Sequence, residues 1–176
     1  TEINVVAITG ATINLSGNIR TDDDGGAAGN VTLTGAVALG ANITIDTSAG
    51  NGAVTLSSTL NGAFDFDISS GSGAVAIQGV TGGTAALASL DINNAAGSGT
   101  IEVNNIGAGA AGVTGATRIG NAATTQLTLD GTVYNANAQT YTATVGGQVI
   151  DLTNAAGVTF TATNDAITFA TGTVDM

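Results

Sequence analysis

The side chains of this chain that could do chemistry are carboxylates and hydroxyls, and only three groupings stand out. Asp22-Asp23-Asp24, followed by Gly25-Gly26, is the one dense acidic run. Hard carboxylate oxygens on a flexible loop are the donors that Ca²⁺ takes, and Ca²⁺ is the only cofactor this sequence suggests. Consecutive acids on an extended chain point to opposite faces, however, so a loop would have to converge them. A solvated corner loop is the plainer reading of such a run.

Asp65 and Asp67 flank Phe66. Alternation places both carboxylates on the outer face of a strand, roughly 6–7 Å apart along it. That lies near the spacing of the carboxyl pair in inverting glycosidases. No lysine, histidine or nearby arginine is available as a helper. A charged outer face that keeps the protein soluble and discourages lateral sheet pairing is the plainer reading. The third grouping is Thr140, Thr142 and Thr144, echoed by Thr159, Thr161 and Thr163. Stacked outward on successive coils, they would form a flat hydroxyl–methyl array of the kind ice-binding β-solenoids use, although Thr is also a common strand former. Asn14-Leu15-Ser16, Asn30-Val31-Thr32 and Asn42-Ile43-Thr44 match the glycosylation acceptor pattern, and a chain this rich in Asn and Thr produces such matches by chance. No catalytic, cofactor-binding or metal-ligating residue is assigned from the sequence.

What is missing narrows the chemistry further. The 176 residues contain no Cys, no His and no Lys, and Arg20 and Arg118 are the only cations against 13 acids. Thiolate chemistry, disulfides, cysteine-ligated metals, histidine bases and Schiff-base lysines are thereby removed. Two positive charges on a chain of net charge −11 are too few to neutralise a phosphate backbone or to attract an anionic membrane surface. Enzymatic activity is not expected. No apolar run approaches the roughly 18 residues of a membrane helix, and no basic stretch followed by an apolar one opens the chain as in a signal peptide.

Strands carry these groups. Apolar residues sit two apart at Ile13-Leu15, Val31-Leu33, Ile43-Ile45, Val54-Leu56, Phe64-Phe66, Val75-Ile77, Leu90-Ile92, Ile101-Val103 and Leu127-Leu129. Period two marks strands, and Gly, Asn and Ser clusters end each run. Ala-rich stretches 84–89 and 108–112 could turn helically, but Gly interrupts them at about 0.8–1 kcal/mol per residue.

Internal repetition is the strongest signal. Segments beginning at Val31, Val54, Val75 and Ile101 resemble one another. A second series aligns Ile43-Thr44-Ile45-Asp46 with Phe64-Asp65-Phe66-Asp67 and Leu90-Asp91-Ile92, and Ile13-Asn14-Leu15 aligns with Val31-Thr32-Leu33. A repeat holding two or three short strands is the length of one β-solenoid coil.

These observations predict a single all-β domain over 1–176, a parallel β-helix (β-solenoid) of about seven or eight coils. A loop excursion is expected at 22–29 and an irregular coil near 107–123. An antiparallel β-sandwich is the alternative, but it gives no reason for successive segments to look alike. Phe64, Phe66, Phe160 and Phe169 are expected in the core. Tyr134 and Tyr141 are expected partly buried, with surface contact to sugar as the other reading. Asn at the corners is expected to stack in ladders between coils.

Segments Asn30–Leu39, Asn42–Gly50 and Gly131–Thr144 resemble the repeats of filamentous-haemagglutinin-like and β-strand-repeat bacterial adhesins and of allied autotransporter passengers. The resemblance spans most of the chain and rests on composition and repeat rhythm. It implies a secreted or cell-surface β-helical shaft with structural and adhesive roles, with host or neighbour-cell glycans among its partners. Neither an Arg-Gly-Asp triplet nor a calcium-binding nonapeptide accompanies it. The strand-like stretches Thr1–Thr9 and Ala166–Val174 carry no polar cap. They lead to the expectation of a piece of a longer solenoid, or of a filament subunit joined end to end with copies of itself.

Overall fold

The structure, a computed structural model, describes residues 5–21, 29–143, 149–152, 154, 156–171 and 173–176. Among these residues seventeen strands follow in chain order: β1 (Val5–Leu15), β2 (Ile19–Arg20), β3 (Asn30–Leu39), β4 (Ile43–Asp46), β5 (Val54–Leu56), β6 (Leu60–Asn61), β7 (Asp65–Ser69), β8 (Val75–Ile77), β9 (Ser89–Ile92), β10 (Thr100–Val103), β11 (Val113–Ile119), β12 (Gln126–Leu129), β13 (Val133–Ala143), β14 (Val149–Asp151), β15 (Thr159–Ala162), β16 (Ile167–Thr171) and β17 (Thr173–Asp175). Among the described residues there is no helix, so the Ala-rich stretches do not turn helically. No helix long and apolar enough to cross a membrane is present among them.

The strands stack as two parallel sheets. One runs β1-β3-β5-β8-β10-β12-β14-β17 with β6 also on β3; the other runs β15-β13-β11-β9-β7-β4-β2 with β16 also on β13. Every ladder between these strands is parallel. The chain is therefore a β-solenoid, with eight rungs stacked along one sheet and seven along the other, close to the number of coils expected, and the antiparallel sandwich is overturned.

The core is a bundle of side-chain columns, each filled once per coil. Val6, Val31, Val54, Val75, Ile101, Leu127, Ile150 and Val174 lie in register along one column. A second holds Ile19, Ile45, Ile68, Ile92, Ile119, Tyr141 and Phe169. A third, at a corner, holds Ile13, Val37, Leu60, Thr81, Ile106, Tyr134 and Phe160. In the middle coils these side chains are almost wholly shielded from solvent, each aliphatic one contributing roughly 1.5–3 kcal/mol by burial. One coil alone could not shield them, so stacking and folding are one event.

The register confirms the Val31, Val54, Val75, Ile101 series and corrects the others. Ile43 pairs with Phe66 rather than Phe64. Ile13 pairs with Val37, while Val31 lies opposite Val6. Residues 107–112 form a loop, and β11 after it is a regular strand with one irregularity between Val113 and Ala116. The excursion at 22–29 lies outside the described residues except for Gly29, whose carbonyl accepts the Thr21 hydroxyl at 2.7 Å.

Corners are fixed by small and amide side chains. A Cβ at Gly52, Gly73 or Gly99 would collide with the backbone of Gly29, Gly52 or Gly73 respectively, one coil away, so the close approach of coils at this corner requires glycine. Beside it, the buried hydroxyls of Thr47 and Ser70 donate to the carbonyls of Gly52 and Gly73. Asparagines clamp neighbouring coils through their carboxamide oxygens: Asn30 accepts from Ala53 N, Asn51 from Ser72 N, Asn93 from Ser70 N, and Asn105 from both Thr132 N and Val133 N. These clamps are not the expected ladders of asparagine on asparagine: each amide oxygen takes a backbone N–H of the neighbouring coil. They satisfy N–H groups that the strand ladders leave open where the chain turns.

Candidate functional site

The outer face of the β4-β7-β9-β11 sheet brings Asp65, Asp67, Asp91 and Arg118 together. Asp67 lies in register between Thr44 and Asp91, and Asp91 in turn lies beside Arg118. Arg118 Nε reaches Asp91 Oδ1 at 2.6 Å and Nη2 reaches Oδ2 at 2.8 Å, a two-pronged ion pair. An arginine therefore does stand near the carboxylate pair, which corrects the sequence-based expectation. The stacking of coils brings it there from 27 residues away along the chain from Asp91.

Asp65 and Asp67 differ in their engagement. Asp65 accepts from Asn42 Nδ2 at 2.9 Å and from the Ser89 hydroxyl at 2.7 Å, one coil to either side. Asp67 faces Asp65 and Asp91, with Arg118 beyond. Partial burial, then the like charges of Asp91 and Asp65, hold its carboxyl above the ordinary range, against the weaker pull of Arg118. Asp46, nearby on β4, is held below the ordinary range chiefly by the Ser48 hydroxyl bonded to it at 2.6 Å, with the Ser48 backbone N–H and Arg20 also lowering it and partial burial acting the other way. An open cleft of about 220 Å³ lies against Thr44, Asp67, Ser69, Asp91 and Asn94. No group of three or more potential metal ligands converges among the described residues, and Asp22-Asp23-Asp24 lies outside them.

The two threonine segments do not stack on each other. β13 bends round a corner: its first half carries β15, so Asn135 faces Thr161, and its second half carries β16, so Thr140 faces Thr168. Thr140 and Thr161 consequently belong to different faces, and no shared hydroxyl array forms from them. Thr144 lies outside the described residues.

The aromatics gather inside. Tyr134 and Tyr141 are fully buried, which overturns both the surface sugar contact and the partial burial expected of them. Tyr134 stacks on Phe160 with ring centres 5.1 Å apart, and Tyr141 stacks on Phe169 at 5.3 Å. The Tyr134 hydroxyl donates to Val103 O and accepts from Gly131 N, both at 2.8 Å. The Tyr141 hydroxyl donates to Gln139 Oε1 at 2.8 Å. Burial raises both phenols. Phe66 is fully buried, whereas Phe64, Phe160 and Phe169 are partly buried against the core. Phe160 and Phe169, with Leu152, Val158, Val174 and Met176, line an apolar hollow of about 550 Å³. Sequence reading missed this hollow, and missed the amide clamps as specific contacts, because both depend on which coils become neighbours.

No protein-family model, no curated protein and no solved structure matches the chain.

Proposed function

We propose that this chain is a structural element, a length of stiff β-solenoid shaft that is extracellular or held at a bacterial cell surface and serves an adhesive assembly without catalysis of its own. The observation that carries this reading is the continuity of the side-chain columns, which run from coil to coil with amide clamps at the corners. A rod held by parallel ladders and in-register aliphatic columns spreads a pull over many bonds at once. The composition points the same way, since histidine, cysteine and lysine, on which much acid–base and nucleophilic catalysis relies, are absent. The repeat rhythm shared with β-strand-repeat adhesins supports the surface location and an adhesive role toward glycans.

In this reading the shaft is extended by further coils, from adjoining repeats or from copies of the chain set end to end. The exposed Val5 and Ile8 of β1 and the apolar hollow around Phe160 and Phe169 supply surfaces suited to such stacking. Single-molecule pulling together with negative-stain imaging tests the proposal. A rod that resists force and lengthens by whole chains is the expected result. A chain that yields at low force and stays a short particle at every concentration would count against it.

A further inference from the structure

The sequence contains two Asn-Gly dipeptides, Asn51-Gly52 and Asn61-Gly62, and the fold treats them differently. Asn-Gly is chemically the most self-reactive of asparagine contexts, because glycine puts no side chain in the way of its own backbone nitrogen. The nitrogen of the glycine, after giving its proton to a solvent base, attacks the asparagine Cγ. A C–N bond forms, the Cγ–Nδ2 bond breaks, and ammonia leaves with a proton from water. Water then opens the resulting succinimide at either carbonyl, giving an aspartate or an isoaspartyl linkage.

Asn51 is exposed, closes the turn after Thr47, and holds a left-handed backbone with φ of 56°. Among the described residues a single cross-coil bond holds its side-chain oxygen, from Ser72 N at 2.8 Å, and Gly52 N donates to Thr47 O at 3.0 Å. Asn61 is part of β6, paired with β3. Its oxygen takes Thr84 N, the Thr84 hydroxyl and Ala85 N, while Gly62 N is paired to Ala85 O at 3.1 Å. Reaction there requires a strand and four hydrogen bonds to open together, whereas reaction at Asn51 requires one turn to flex.

We propose that Asn51 is a site of spontaneous deamidation in the folded protein, and that Asn61 is kept intact by its coil contacts. Conversion at Asn51 adds a negative charge to an already acidic surface. The isoaspartyl product also lengthens the backbone by one atom at a corner whose spacing Gly52 and Gly73 fix. In the isoaspartyl product the coil contact at Ser72 is the first to be lost.

The test is peptide mapping of the full chain held in mildly alkaline buffer, folded and in concentrated urea, with isoaspartyl products scored at each site. In the folded chain Asn51 should convert about tenfold or more faster than Asn61, a ratio that corresponds to roughly 1.4 kcal/mol of extra opening cost at Asn61. In urea the two should converge. Amide exchange at Ser72 should quicken in the isoaspartyl fraction, and Asn51→Gln should abolish the early product. Equal conversion at the two sites in the folded chain would overturn the proposal, as would an Asn51 that reacts only in urea.

Discussion

The middle coils and the carboxyl-terminal coils of this solenoid share the same columns but fill them differently. From Ile45 through Ile119 one column repeats isoleucine on every coil, each shielded almost completely from solvent. Above Ile119 the same column holds Tyr141 and then Phe169, and the neighbouring corner column passes from Ile106 to Tyr134 and Phe160. Identical β-branched rungs interlock by shape alone. Large rings leave more room to fill and bring hydroxyls that must be satisfied, as the Tyr134 bonds to Val103 and Gly131 and the Tyr141 bond to Gln139 do. The aliphatic region therefore gains its order from repetition, and the aromatic region from specific contacts that occur once.

The largest effect should come from breaking the repetition. Ile68→Ala removes a side chain only 2% exposed from between Ile45 and Ile92, and is expected to cost about 2–5 kcal/mol. Phe169→Ala removes more atoms, but from a partly buried ring facing the hollow, and should cost less than Ile68→Ala. Urea titration of both variants makes the comparison. A larger loss at Phe169 would mean that the aromatic end, not the aliphatic middle, limits stability.

A once-only contact should break more gently. Tyr134→Phe keeps the stack on Phe160 and deletes only the hydroxyl, leaving Val103 O and Gly131 N without their partner. About 1–3 kcal/mol is expected, visible as a shifted urea midpoint with an unchanged slope. The clamps sharpen the contrast further. Asn93 sits in the left-handed region with φ of 47° and bonds Ser70 through both its amide atoms. Asn93→Gly keeps that backbone and removes the clamp, at an expected cost of about 1–2 kcal/mol. Asn154→Ala removes an exposed bond to Asp130 O in the aromatic region and should cost less than about 0.5 kcal/mol.

How much of this was legible follows from where information lies in a repeat. The Val31, Val54, Val75, Ile101 register could be read because each segment is a single short alternation bounded by turn residues. The Ile43 partner slipped by two residues because Phe64-Asp65-Phe66-Asp67 presents the same faces at either setting, and period two cannot distinguish them. Bonds from Asn42 and Ser89 to Asp65, one on each side, accompany the actual setting. The threonine segments misled for a different reason. Thr140–Thr144 and Thr159–Thr163 look alike in sequence, but β13 turns a corner midway, so its two halves carry different strands. Arg118 could not be placed beside Asp91 by any local rule, because the stacking order alone makes them neighbours. The burial of Tyr134 and Tyr141 depends likewise on the columns they join, which residue type does not reveal.

The smallest expected effect belongs to the outer face, where the two regions meet at Arg118. Asp91 has its cation; Asp67, one coil earlier, faces Asp65 and Asp91 with Arg118 only beyond. Its carboxyl is held above the ordinary value of 3.8, so the fold favours the protonated form. The sign follows from linkage: stability associated with this group is fully present below the unfolded value and is lost as pH rises through the higher folded value. Ionised Asp67 therefore weakens the stack at neutral pH, by a fraction of a kcal/mol once solvent screening is counted. Asp67→Asn should raise the melting temperature slightly at neutral pH, with the gain shrinking as pH falls toward 3.8 and vanishing below it. Added salt should shrink the neutral-pH gain as well, because part of it is repulsion from Asp65 and Asp91. Melting curves of the two proteins across acid pH, at low and high salt, decide the matter: a gain that persists unchanged into acid would assign the effect to packing rather than to charge.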